Sequence, residues 1–372
     1  MGRGLPLLVV VGCGRLHFDA VTDAAQPPDV PVVELCNGID DNHDGVIDEG
    51  CPCIPFDVTV NDTVRGGESA VWTGAEVDLV TSDTNLHIDR VRDGMLLAPV
   101  DLGGVATAAY SVAWTGTTIA IVWDDSVNLF VTTYAPDTGV VGPTTPIGAG
   151  QLVARIAWAG DRLVATWLSG GNLFLRELDP TGVPLGPALM VAMTPQTSLD
   201  VAIATEQSYW IGLSSPPTSY GIMVVDRQTH APTTVTSDLG SGAYVRLREE
   251  PAGIVATLGA PSGAAKLQMF TRGGMPLGAG VALPSGPSGA FGGLGLVGSS
   301  SSAQLIGFTS GATHDVMAVS FDPGMQSFGP VTVVGSFSSG AYGTIPTCFG
   351  SEGRVGIAEF YLTVTLVLQR CR

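Results

Sequence analysis

Five carboxylates fall within ten positions of the segment CNGIDDNHDGVIDEGC (36–51): Asp40, Asp41, Asp44, Asp48 and Glu49. Counted from Asp40, oxygen side chains stand at positions 1, 3 and 5 (Asp40, Asn42, Asp44). Gly45 at position 6 allows a sharp bend, Val46 at 7 offers a backbone carbonyl, and Asp48 stands at 9. Calcium takes six to eight hard oxygen ligands from such a turn. The spacing therefore predicts Ca2+ held by Asp40, Asn42, Asp44, the Val46 carbonyl and Asp48, with Glu49 or water completing the shell. Position 12, where a helix-flanked calcium loop carries a bidentate glutamate, is Cys51. Pro31, Pro52 and Pro55 exclude helices on either side, because proline removes a backbone donor and clashes within a helix.

Cys36 and Cys51 bracket the acid loop and Cys53 follows two residues later. Closing a loop of about 15 residues contributes ~3 kcal/mol in the chain-entropy view, and a segment this small needs a covalent staple and a metal to hold a shape. The pairing can be Cys36–Cys51 or Cys36–Cys53. A zinc or copper site built from Cys36, His43, Cys51 and Cys53 is the competing assignment, since thiolate and imidazole suit borderline metals. An acidic, solvated turn without an ion is the third.

The run from Glu34 to Cys51 resembles the metal-binding motif of bacterial surface lipoproteins, C-N-G-x-D-D-D-C-D-G-x-x-D-E-x-C. Asn42 replaces an aspartate of that pattern and His43 replaces a cysteine. An amide oxygen still coordinates calcium, whereas the second change removes a thiol and leaves an unpaired cysteine. The resemblance covers about 20 residues and implies a surface-exposed, lipid-anchored protein.

The N-terminus fits that address. Arg3 precedes the apolar run Leu5–Val11, and Gly12-Cys13 follows, which is the layout of an export signal. Val10-Val11-Gly12-Cys13 resembles a lipobox, so residues 1–12 read as a signal peptide and Cys13 as the lipidation site. Acyl chains contribute ~0.8 kcal/mol per buried methylene and anchor firmly when several act together. Gly14, in place of an acidic residue, implies the outer membrane or cell surface by the same resemblance. Residues 13–33, with Pro27, Pro28 and Pro31, read as an extended tether, and 34–54 as the metal-binding segment.

The elements that must carry this loop are short strands in a repeat. AVWTG (70–74), VAWTG (112–116) and IAWAG (156–160) each end in a turn, and degenerate copies end near Thr205, Glu250, Gly298 and Gly350, a period of 42–52 residues. A second apolar run follows every turn, from VDLVTSD (77–83) to RVGIAEF (354–360), and third strands open at Asn85, Asn128 and Asn172. Four strands per 40–50 residues predict an all-β, seven-bladed β-propeller of four-stranded blades over 55–372. The blades read as about 66–105, 106–149, 150–194, 195–240, 241–285, 286–336 and 337–371, with 56–62 supplying the missing strand of the last. Cys348 and Cys371 lie in the final blade and are further disulfide candidates, as is Cys53–Cys371. Neither the Gly-His/Trp-Asp pattern nor the kelch double glycine is present.

Net charge −18, with one lysine against fifteen arginines, argues against nucleic acid as a partner. Beyond the N-terminus no apolar run nears the ~20 residues that span a bilayer, so membrane attachment is expected through the lipid alone. Trp72, Trp114 and Trp158 occupy equivalent positions, as do Trp123, Trp167 and approximately Trp210; such aromatics read as packing. The match to GxGxxG at Gly293–Gly298 has no helix after it and is rejected as a dinucleotide site. Asp124-Asp125 reads as a solvated turn. His87, His230 and His314 have no i,i+4 partner, and no catalytic constellation is visible. The sequence thus predicts a monomeric, non-catalytic surface scaffold whose propeller face recognises a protein or glycan. The alternatives are a propeller enzyme acting on polysaccharide and a zinc- or copper-capturing surface protein.

Overall fold

The structure, a computed structural model, describes residues 54–60, 69–73, 76–82, 85–92, 95–104, 108–149, 154–193, 198–215, 219–239, 244–250, 252–259, 265–285, 293–298, 303–308, 313–322, 325–338, 347–351, 354–361 and 363–370. The chain divides into two compact units, Met1–Cys51 and Pro52–Arg372, and every described residue belongs to the second. The acid loop residues Asp40, Asn42, Asp44, Val46, Asp48 and Glu49 lie outside the described residues, as do Cys13, Cys36, Cys51, Cys53 and Cys371. Cys348 falls in the strand Thr347–Ser351.

The described residues form strands and turns, in seven antiparallel sheets. Numbered in chain order, the sheets have first strands Ser69–Trp72, Ala108–Trp114, Ala154–Trp158, Ser198–Ala204, Tyr244–Glu250, Gly293–Gly298 and Thr347–Ser351. In sheets one to six the chain then runs outward strand by strand. In sheets one and two the outermost strand is split into two short segments that both pair with the third. Sheet seven takes only three strands from its own stretch of chain. Its fourth is Ile54–Val60, which pairs antiparallel with Thr363–Arg370, from Ile54 opposite Arg370 to Val60 opposite Val364. First strands pack against one another in succession, one to seven, and the seventh packs against the first. The GxGxxG segment is the first strand of sheet six, paired with Ala303–Phe308.

In sheets one to five the second strand is enclosed on both faces. That is why Ile119–Asp124 and Leu163–Ser169 read as continuous apolar runs and are buried almost end to end, where a half-solvated strand would alternate. Threonine shapes the first turn of the repeat. The Thr115 hydroxyl accepts from the Thr118 amide at 2.9 Å and Thr205 does the same for Ser208 at 3.0 Å, a side-chain mimic of a backbone turn.

The core tryptophans pack across sheets. Trp123 stacks on Phe130 at 4.7 Å and Trp167 on Phe174 at 5.6 Å, each a cross-strand pair. Their rings lie over glycines of the preceding sheet. A Cβ on Gly104 would come within 2.6 Å of Trp123, and one on Gly148 within 2.6 Å of Trp167. Trp210 is not their equivalent. It pairs with Ile203, whereas Trp167 pairs with Ala154 at the far end of its strand, so the two are three residues out of register. An odd offset reverses the face, and Trp210 packs toward sheet five against Phe270.

Candidate functional site

In sheets three and four the third-to-fourth turn is built on an aspartate, and in sheets two to five it ends in a left-handed residue. Asp179 Oδ1 accepts from the amides of Thr181 and Val183 at 2.8 and 3.0 Å, and Asp226 Oδ1 from those of Gln228 and Thr229 at 3.0 and 2.7 Å. The closing residue is Gly139, Gly182 and Gly274 in sheets two, three and five, with φ of 68, 86 and 92°. Glycine meets that geometry without steric cost. In sheet four the same place is held by His230, with φ 56°.

That histidine belongs to a chain of polar groups between sheets three and four. Glu177, on the third strand of sheet three, accepts from the buried Tyr209 hydroxyl through Oε1 and from Arg162 through Oε2 at 2.9 Å. His230 Nε2 faces Oε1 at 3.5 Å, beyond hydrogen-bond reach. Arg162 turns its other nitrogen to Asp161 at 3.1 Å, and Asp161 is also bound by Arg227 of sheet four. Burial acts to raise the Glu177 carboxyl, but the Tyr209 hydroxyl and Arg162 outweigh it and hold it below the usual range. Burial and then Glu177 push Tyr209 up. Asp161 is half exposed, so the chain of charges runs from the seam to the surface.

A second cluster lies within sheet one. Glu76 is buried and clamped by Arg90 Nη2 at 2.7 Å and Arg92 Nη2 at 2.9 Å. Asp78 is fully buried beside it, with Arg90 Nε 3.8 Å away. On the opposite face of the sheet the Thr81 hydroxyl donates to Asp89 at 2.6 Å, and His87 Nε2 lies 3.7 Å from the same oxygen. Among the described residues no group of three or more His, Cys, Asp or Glu could hold a metal ion.

Several sequence expectations are relocated by this geometry. Asp124 is buried rather than solvated, its Oδ1 accepting from the Ser126 amide at 2.9 Å. Its neighbour Asp125 accepts from Val127 and Asn128 at 2.9 and 2.7 Å. His87 faces Asp89, two residues along its own strand, whereas His230 faces Glu177 of the neighbouring sheet. A cross-sheet contact such as that of His230 leaves no local spacing, so the sequence shows the residues and not their meeting. His314 lies in the strand Thr313–Asp322.

One position recurs on the turn side of the sheets. Counting from the pairings of the third strands, Met95, Val140, Val183, Ala231 and Met275 are equivalent in sheets one to five. Val140, Val183, Ala231 and Met275 each directly follow the left-handed residue of their turn. Met95, Val140, Val183 and Met275 are 64, 60, 46 and 67% exposed, and Ala231 is exposed too.

No protein-family model matches the chain, and no curated protein matches it in sequence. Among solved structures it is similar to the RRP9 WD40 repeats, with TM-score 0.56 and 11% identity over 84% of this chain and 97% of that one. It is also similar to a chain from a structural and mechanistic study of two prolyl endopeptidases, with TM-score 0.52 and 12% identity over 80% of this chain and 46% of that one. At such identities the likeness concerns the fold alone: antiparallel four-stranded sheets in the β-propeller manner.

Proposed function

We propose that this chain is a lipid-anchored, exported binding scaffold. In this reading Cys13 carries the lipid and residues 13–33 the tether. The acid loop holds a structural Ca2+ through Asp40, Asn42, Asp44, Val46, Asp48 and Glu49, and a seven-bladed propeller presents a non-catalytic surface to a protein partner. A propeller fold suits a protein-interaction role, although fold alone does not fix function.

The observation that carries the reading is the repeated exposed position Met95, Val140, Val183, Ala231 and Met275. Scattered exposed apolar residues are ordinary. Here, however, one register position of the repeat stays apolar in five successive sheets while the aspartates and glycines around it only shape turns. Turns of this kind sit on rigid sheets and commonly carry recognition. Four large apolar side chains at the same end of sheets one, two, three and five offer a rim suited to a protein surface more than to a glycan, which needs clustered hydrogen-bonding groups. The seam charges Asp161 and Arg227 border that rim between sheets three and four.

Calorimetric titration of oxidised protein beginning at Gly14 tests the ion. One Ca2+ bound per chain, lost in Asp40→Ala/Asp44→Ala while the sheets remain folded by circular dichroism, is expected. Tight zinc or copper binding that thiol reagents abolish, with no calcium uptake, would replace the structural ion with metal capture.

A further inference from the structure

The repeat allows sheet one to be compared with its sisters position by position. In sheets two to five the second-strand residue paired with the first-strand residue seven positions before it is apolar and enclosed: Ala120, Val164, Trp210 and Val255. In sheet one that residue is Asp78, opposite Val71 and Arg90, and it is as fully enclosed as they are. Neither carboxylate oxygen has a hydrogen-bond partner in the protein. The nearest cation, Arg90, is already committed to Glu76 through Nε at 2.8 Å and Nη2 at 2.7 Å. From sheet two, Tyr134 enters the same seam among Val80, Ile88, Ile119 and Trp123, and its buried hydroxyl also lacks a partner. Among the described residues, the charged and titratable groups around Asp78 are Glu76, Arg90 and Arg92 on its own sheet and Tyr134 on the next.

We propose that Asp78 is a proton-operated switch in the seam between sheets one and two. With the proton on, Asp78 is a neutral donor at a place that sheets two to five fill with apolar side chains. With the proton released to solvent, it becomes a buried charge beside Glu76, competes for Arg90, and loosens the seam. Burying an ion without a dedicated partner is among the costliest placements in a protein. Burial, and then the charge of Glu76, raise its carboxyl to about 7, against the partial offset of Arg90 and Arg92. The folded value lies above the ordinary one. The seam's stabilisation is therefore complete in acid and is lost as pH rises through about 4 to about 7.

The test is urea unfolding of the full chain between about pH 4.5 and 8.5, comparing the native sequence with Asp78→Asn and Asp78→Val. The unfolding constant of the native chain, relative to either variant, is expected to rise by up to about tenfold per pH unit until neutrality and then level off. Parallel profiles across the whole range would overturn the switch. If neither variant folds, the infrared carboxylic-acid band of native protein labelled with 13C-aspartate decides. A band that persists from mild acid and vanishes through neutrality supports the proposal, and loss of every such band before mild acid is reached refutes it.

Discussion

Single side chains in this molecule act mainly across sheets, and their removal should register accordingly. Trp167 is buried against Phe174 and lies over Gly148. Trp167→Ala is expected to destabilise by about 3–5 kcal/mol, read from the urea midpoint at unchanged slope. Gly148→Ala attacks the same contact from the other side, since its Cβ would stand 2.6 Å from the Trp167 ring; overpacking of this kind costs about 1–3 kcal/mol. Tyr209→Phe removes a hydroxyl that Glu177 needs, at about 1–3 kcal/mol. Glu177 also has a pH signature opposite in sign to that of Asp78. Its value is held down, so the stabilisation it gives is present above the ordinary carboxylate range and fades as pH falls through the folded value. Glu177→Gln should remove that acid-side loss in melts against pH. None of these partnerships was legible in the sequence. Glu177 and Tyr209 are 32 residues apart, and Asp78 shows itself as anomalous only once its register neighbours Ala120, Val164 and Val255 are known.

At the scale of strands and turns the sequence spoke more clearly. The Trp-Thr-Gly and Trp-Ala-Gly endings mark where first strands stop, because a four-residue turn must follow an enclosed strand. Unbroken apolar runs mark second strands because both their faces are covered. Three-residue slips are invisible at this level, which is how Trp210 could be aligned with Trp167 while facing the other way. The third-to-fourth turns offer a direct comparison. Gly182 has φ 86°, and a Cβ there would meet Val131 at 3.0 Å, so Gly182→Val should cost more than about 1 kcal/mol. His230→Gly should lie within about 1 kcal/mol of the native chain, because relief of the left-handed backbone offsets loss of the contact with Glu177. A loss several times larger would mean that His230 holds the seam far more firmly than its 3.5 Å contact implies.

For the molecule as a whole, the critical join is Ile54–Val60 against Thr363–Arg370, where the beginning and the end of the described chain meet. A last sheet one strand short, and a strand-like segment ahead of the first repeat, made that join readable before any coordinates. The partner was not readable, because a rim of turns is assembled from five distant stretches of sequence, each unremarkable alone. Deleting residues 54–60 would leave Thr363–Arg370 as an open edge, a template for association; light scattering should then report aggregates in place of monomer. The most direct test of the scaffold reading is photo-cross-linking on intact cells, with the reactive group placed in turn at Met95, Val183 and Met275. Gly171, in a second-to-third turn at the opposite ends of the strands, is the control site. Discrete protein adducts from the three rim positions, and none from Gly171, are the predicted result. Adducts from Gly171 alone, or from no position, would contradict the rim as the protein-binding surface.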